Sequence, residues 1–367
     1  MAKTSQFASL ANDPERKRTT WETVLVSTPI ILTVVATVLA GLSSSEMSSA
    51  QYFRSLAAQM QSKASDQWGY FQAKRLRAEQ CANTLQVLQN LAQPAPFDAR
   101  DLRQAGNRLI ARMKRAMASD SKELTEHLNR VEACVARLSE ATTRPDEEDQ
   151  IAGFGRGDVP IIKERAIEDR QIIDAMRAVD SHVSETELER QAGMVDQATL
   201  DGAFAVANDN AAAFDQAVSR TGQANAPIEA TFAAISRETA AFEAAARRVA
   251  ANEVDNAIAA VHESAAQLNA AFGIAQLRFN SNRENREAHY NQVLAQLYEI
   301  QVRRESFTSE RHRLRSRQFF YGMLGAQAGV TIATFSLAVR RGSWLWGLAA
   351  SAGLAAVTFA AYVYLFV

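Results

Sequence analysis

The feature that most constrains this chain is a set of three apolar stretches, one near its start and two almost adjoining at its end. They run from Val24 to Leu42, from Phe319 to Val339 and from Trp344 to Phe366, and none contains an Asp, Glu, Lys or Arg. Each approaches the ~20 apolar residues that a helix needs to cross a bilayer core. The pattern predicts an integral membrane protein with three spans that holds a long polar segment by both ends. The first stretch exceeds the 7–15 apolar residues usual for a signal peptide, so an uncleaved anchor is expected. The resulting plan has six parts: a polar tail over residues 1–20, a first span over 21–43 and a helical hairpin over 44–142. An acidic and Gly-rich linker over 143–160, a long helical coiled-coil segment over 161–318 and a transmembrane hairpin over 319–367 complete it.

The polar remainder is about 275 residues, enough for one or two ordinary domains. Ala, Gln, Glu, Arg and Leu dominate it and β-branched runs are nearly absent. These are strong helix formers, so the expected fold class is all-α with coiled coil. A formal net charge of -1 gives no global bias toward nucleic acid.

Periodicity supports this. From Glu46 to Gln93, Phe53, Ala57, Met60, Ala64, Gln67, Phe71, Lys74, Ala78, Cys81, Leu85, Leu88 and Ala92 step by alternating threes and fours, an a/d seam. Pro94 and Pro96 stop that helix. Asp98 is placed to cap a second, running to Thr142 with Leu102, Leu109, Met113, Leu124, Leu128, Val131, Val135 and Leu138 on its apolar side. The short turn makes the two antiparallel neighbours. The run Asp146–Asp149 and the glycines 153, 155 and 157 read as a linker. Helix resumes from Ile161 to Ala192, and a looser stretch leads to Pro227. A stripe from Phe232 to Phe307 then reaches the membrane, with breaks expected near Gly273 or in the polar patch Asn280–Glu287.

Catalytic chemistry is not legible. Gly153-Phe154-Gly155-Arg156-Gly157 lacks the preceding strand and following Lys of a phosphate loop. His127, His182, His262, His289 and His312 form no metal-ligand or nucleophile spacing and read as helix-surface residues. Cys81 and Cys134 fall on apolar stripes, as a pair of buried thiols or as a disulfide clamp. No enzyme activity, cofactor, metal or small-molecule substrate is expected.

The spans carry more. Gly322, Gly325 and Gly329 in the second, and Gly347, Ser351 and Ala355 in the third, are small residues spaced for close helix approach in lipid. Gln327 is expected to face a helix neighbour, where its amide finds a partner. Arg303, Arg304, Arg311, Arg313, Arg315 and Arg317 form a collar for anionic lipid headgroups. Arg16, Lys17 and Arg18 favour a cytoplasmic N-terminus and an extracytoplasmic helical segment; the arginine collar favours the reverse, and the first helix usually dominates.

The stretch Ala64-Ser65-Asp66-Gln67-Trp68-Gly69-Tyr70-Phe71-Gln72-Ala73-Lys74 resembles an uncharacterised bacterial membrane family, domain of unknown function 4337. The resemblance covers residues 20–92 and 285–367. It implies one span, this helix, further helices and a terminal two-span hairpin in a bacterial inner membrane, and it brings no activity. From the residues themselves, Trp68, Phe71 and Gln72 share a face, flanked by Asp66 and Lys74. That face is expected to pack on the returning helix. The leading expectation for function is a scaffold subunit that oligomerises or engages protein partners. The alternative is a sensor whose helical segment gates a pore formed by the terminal hairpin.

Overall fold

A computed structural model describes residues 20–92, 97–117, 121–141, 152–181, 183–249, 255–338 and 343–366. Of these, 93% are helical, which makes the fold all-α. The helices are α1 (Thr20–Ala92), α2 (Ala99–Ala116), α3 (Lys122–Ala141), α4 (Arg170–Asp180), α5 (Glu185–Met194), α6 (Gln197–Val249), α7 (Asp255–Ala338) and α8 (Ser343–Phe366). The N-terminal tail, the acidic run Asp146–Asp149 and the Arg340–Arg341 loop lie outside the described residues.

Several expected boundaries move. The second helix expected over 98–142 is two helices. Asp98 caps α2 by accepting from the Asp101 amide at 2.7 Å, and the Ser121 carbonyl opens α3 by accepting from the Thr125 amide at 3.1 Å. Folding back lets the stripes of α2 and α3 meet instead of lying end to end, and Gly106 admits Val135, whose Cγ1 would lie 2.7 Å from an added Cβ. Residues 161–169, expected to be helical, are not. Helix begins only at Arg170, where Asp169 accepts from the amides of Gln171 and Ile172. The stretch read as loose before Pro227 is helical, because Leu200, Ala203, Ala207 and Phe214 give it a buried stripe of its own. Helix α6 runs through Pro227, and the break expected at Gly273 or the polar patch does not occur within α7. Pro29 and Pro227 sit inside helices, and each carbonyl accepts the hydroxyl of the Thr four residues on at 2.8 Å.

The chain forms two compact units. The central unit comprises Ser62–His182 and Val195–Ile300. Its core joins the apolar stripes of α2, α3, α6 and α7 around Leu109, Met113, Val131, Phe232, Ile235 and Phe242. The terminal unit comprises Met1–Gln61, Val183–Met194 and Gln301–Val367. There the apolar ends of α1 and α7 pack with α8 through Leu32, Ala36, Leu39, Ala326, Ala333, Ala349, Ala356 and Val363. Helix α5 lies on α7, with Phe307 Cδ1 3.1 Å from where a Cβ on Gly193 would sit.

Among the described residues, two helices are long and apolar enough to cross a membrane, over Val26–Asn90 and Trp344–Leu365. The end of α7, expected to be a further span, is less apolar; Gln327, Thr331, Thr334 and Ser336 interrupt it.

Candidate functional site

In α1 the seam read from the sequence is the covered side. Ala57, Ala64 and Ala78 are buried, and Phe53, Gln67, Phe71, Lys74, Cys81 and Leu85 are partly buried between exposed neighbours. Within the central unit that side meets α7. Trp68 packs edge-on against Phe71, with centroids 5.6 Å apart. Lys74 lies against Glu284 at 3.1 Å and also donates to Glu287. Burial works against its charge, but the bonds to Glu287 and Glu284 outweigh it and hold the ammonium above the ordinary lysine pKa. Ser281 donates to the Ala78 carbonyl at 3.0 Å. The expected face is therefore corrected by one step around the helix: Gln67, Phe71 and Lys74 are on the covered side, while Asp66 and Gln72 are exposed.

The polar patch Asn280–Glu287 is thus the place where α7 gathers its neighbours. Asn282 donates to the Gly157 carbonyl and Arg278 to the Gly155 carbonyl, each at 2.7 Å. The glycine-rich segment, read as linker, is a packed turn. Phe154 is buried among Phe97, Phe272 and Phe279. Gly157 has φ +76, and a Cβ on Gly155 would sit 2.2 Å from the Phe97 carbonyl oxygen. The signal for this turn was Phe154 between two glycines, an apolar anchor that a solvated linker does not need.

Residues 22–150 match the family model described as domain of unknown function (DUF4337). The DUF4337 region takes in the whole of the Asp66–Lys74 motif, α2 and α3. It ends short of the Gly-rich turn and of residues 285–367, where the sequence resemblance also placed similarity. No curated protein matches the chain. No solved structure matches it either.

The DUF4337 region supplies α1 to the terminal unit as well. Gly322 faces Leu39 and Phe359, and Gly329 faces Leu32, Ala349 and Ala352. Added Cβ atoms on Gly325 and Gly347 would meet nothing within 4 Å, and Gln327 and Ser351 are exposed. The packing row of α8 is Ala349, Gly353, Ala356 and Val363, with Leu32 filling the space over Gly353. So Gly322 and Gly329 meet atoms of α1 and α8, while among the described residues Gly325 and Gly347 face open space and Gln327, Ser351 and Ala355 are exposed. Trp346 Nε1 donates to Thr28 Oγ1 at 3.0 Å.

Just before the apolar end of α7, helices α1 and α7 are laced by polar contacts that sequence reasoning missed. Ser43 and Ser316 each donate to the other's carbonyl, at 2.9 and 2.7 Å. His312 bonds Glu46 and stacks on Phe53 with centroids 5.3 Å apart, and Ser309 donates to the Ala50 carbonyl at 2.8 Å. His312 and His127 are therefore interhelical partners, the latter with Glu238 at 2.9 Å, rather than surface residues. His262 and His289 are exposed. His182 lies outside the described residues. In the expected collar, Arg311, Arg313 and Arg317 are exposed and Arg315 is partly buried; Arg313 pairs with Glu310 at 3.1 Å.

A further concave feature lies beyond the DUF4337 region. An open cleft of about 350 Å³ is lined by the non-helical strap 161–169, α4, α6 and α7. Tyr290 donates to Glu164 at 2.7 Å, and burial first, then the Glu164 carboxylate, raises its phenol pKa. Cys81 and Cys134 are both free thiols. Among the described residues no cluster of three or more His, Cys, Asp or Glu is placed to hold a metal ion.

Proposed function

We propose that this chain is a membrane-anchored helical scaffold, with three spans and a long helical part that binds further copies of itself or protein partners. The observation that carries the reading is where the apolar side chains point. In each of the two most apolar windows only 22% of the residues are buried. Ile30, Ile31, Val34 and Val38 of α1 and Leu354, Tyr364 and Leu365 of α8 are exposed. A soluble monomer rarely exposes contiguous apolar surface on this scale, whereas hydrocarbon accepts it. The end of α7 carries outward Phe320 and Phe335 and packs its small residues between the other two apolar helices, as a third span would.

Assembly is supported by what is left over. Gln327 and the row Gly347, Ser351 and Ala355 face away from this chain's own packing. Small residues let a second helix approach closely, and a glutamine in hydrocarbon seeks a partner amide. The cations Arg16, Lys17 and Arg18 favour a cytoplasmic N-terminus in a bacterial inner membrane, with the helical part outside and the arginine collar at the headgroups.

The test is the mass of the protein purified in mild detergent, by light scattering, together with whatever co-purifies. A fixed oligomer or a defined complex is expected. Gly347→Leu or Ser351→Leu should lower that mass while leaving the fold intact. A monodisperse monomer without a protein partner overturns the scaffold reading, and full solubility without detergent overturns the membrane reading.

A further inference from the structure

The cavity of the central unit has the size and build of a ligand site. At about 350 Å³ it falls in the range of small-molecule pockets. Its walls are fixed in advance. Asn210 of α6 accepts from the Arg165 amide and donates to the Arg165 carbonyl, both at 2.9 Å, so one side chain holds the strap as a neighbouring strand would. One residue earlier, Glu164 is pinned by the Tyr290 hydroxyl and by Arg286 at 3.4 Å. Across the cavity Gln296 donates to Asp180 at 2.6 Å.

These bonds decide the polarity the cavity offers. Its two carboxylates, Glu164 and Asp180, are already engaged. Among the described residues its two guanidinium groups pair with exposed partners: Arg165 with Asp209 at 3.1 Å and Arg177 with Asp174 at 3.4 Å. Exposed pairs of this kind contribute little and exchange readily. The rest of the lining is mostly apolar, from Ile173 and Met176 of α4, Ala207 of α6 and Val293 of α7, with the imidazole of His289 beside them.

We propose that this cavity binds a small organic monoanion, an aromatic or branched-chain carboxylate. Its apolar body lies on Met176, Ala207 and Val293, and its carboxylate takes the forks of Arg165 and Arg177. Guanidinium matches a carboxylate two bonds at a time, whereas Asp209 and Asp174 each meet these arginines through a single contact. The volume admits a body on the order of a dozen non-hydrogen atoms. Every residue that lines the cavity lies C-terminal to residue 150, so this site is a property of the chain beyond its DUF4337 region.

The experiment uses the full chain in detergent and 4-(trifluoromethyl)benzoate as the probe, followed by fluorine NMR. Saturable binding is expected, and the neutral isostere 4-(trifluoromethyl)benzamide should bind about fivefold more weakly or worse, the loss of a charge-assisted bond at an exposed site. Arg177→Gln, a surface change that leaves the fold alone, should weaken the carboxylate by a similar factor. Ala207→Trp should abolish binding, and the milder Met176→Trp should do the same if the first variant fails to fold. Ala234→Trp, which fills a separate groove between α3 and α6, should change nothing. Non-saturable uptake, equal affinity for the amide, or binding that survives both Met176→Trp and Arg177→Gln overturns the proposal.

Discussion

Lys74 of α1 meets Glu284 of α7 at 3.1 Å, and the Glu284 side chain is only 7% exposed there. A lysine within the best-defined motif of the chain therefore has its counter-charge more than two hundred residues away. Arg283 also reaches Glu284, at 3.1 Å, so the buried carboxylate is shared by two cations. Glu287 accepts from the same lysine.

Replacing Lys74 should loosen α1 from α7 within the central unit. Lys74→Met keeps the apolar stem and strands two carboxylates beside one remaining arginine, at a cost of about 1–3 kcal/mol. Faster amide exchange in α1 around residues 64–81 is the expected readout. Adding Glu284→Gln to Lys74→Met should recover part of the loss. Strict additivity of the two changes would show that the pair is not coupled.

Glu238 predicts an acid-sensitive contact. Its hydrogen bond from His127 is the main cause that holds its carboxyl below the usual glutamate pKa; burial opposes this and Arg130 adds to it. A depressed folded pKa contributes stability above the unfolded value near ~4.3 and loses it as pH falls through the folded one. Glu238→Gln should therefore destabilise the packing of α3 on α6 by about 1–3 kcal/mol at pH 7, with the gap from the natural chain closing in acid. Urea midpoints at pH 7 and in acid measure it; a constant gap would refute the linkage.

Glu305 should behave in the opposite sense. Its side chain is 4% exposed with Arg304 at 3.1 Å, and burial raises its pKa, a shift that Arg304 only partly offsets. A raised folded pKa favours folding below the unfolded value, and that advantage is lost as pH rises through the folded one. Glu305→Gln should thus stabilise the terminal unit at neutral pH by on the order of 1 kcal/mol. The benefit should vanish in acid, as read from thermal midpoints in detergent.

The glycines sort into two groups. Gly157→Ala forces a side chain onto a left-handed backbone with Arg278 Cγ 2.5 Å away, and should cost about 1–3 kcal/mol. Gly155→Ala should cost more, because the Phe97 carbonyl cannot yield without moving the backbone. Gly353→Ala collides with Leu32 Cδ2 at 2.3 Å, a flexible tip, and should be milder. Gly325→Ala and Gly347→Ala meet open space and should leave the fold of the single chain unchanged, by thermal midpoint and circular dichroism.

What the sequence determined by itself is local. The threes and fours from Phe53 to Leu88 named the covered side of α1, because helical period is a property of neighbouring residues and needs no knowledge of the partner. Helix-forming composition made the fold all-α, and the apolar runs marked α1 and α8 as helices able to cross a membrane. Tertiary structure decided whatever depends on a partner. Asn280–Glu287 read as a break because it is polar, and it stays helical because Lys74, Ala78, Gly155, Gly157 and Glu164 pair with it or its immediate neighbours. The Gly-rich stretch read as linker and is a packed turn, since only a folded core brings Phe97 and Phe272 to Phe154. Among the small residues of α7, Gly329 packs and Gly325 does not. Each residue turns the helix by about 100°, and only the arrangement of α1 and α8 fixes which face is inside.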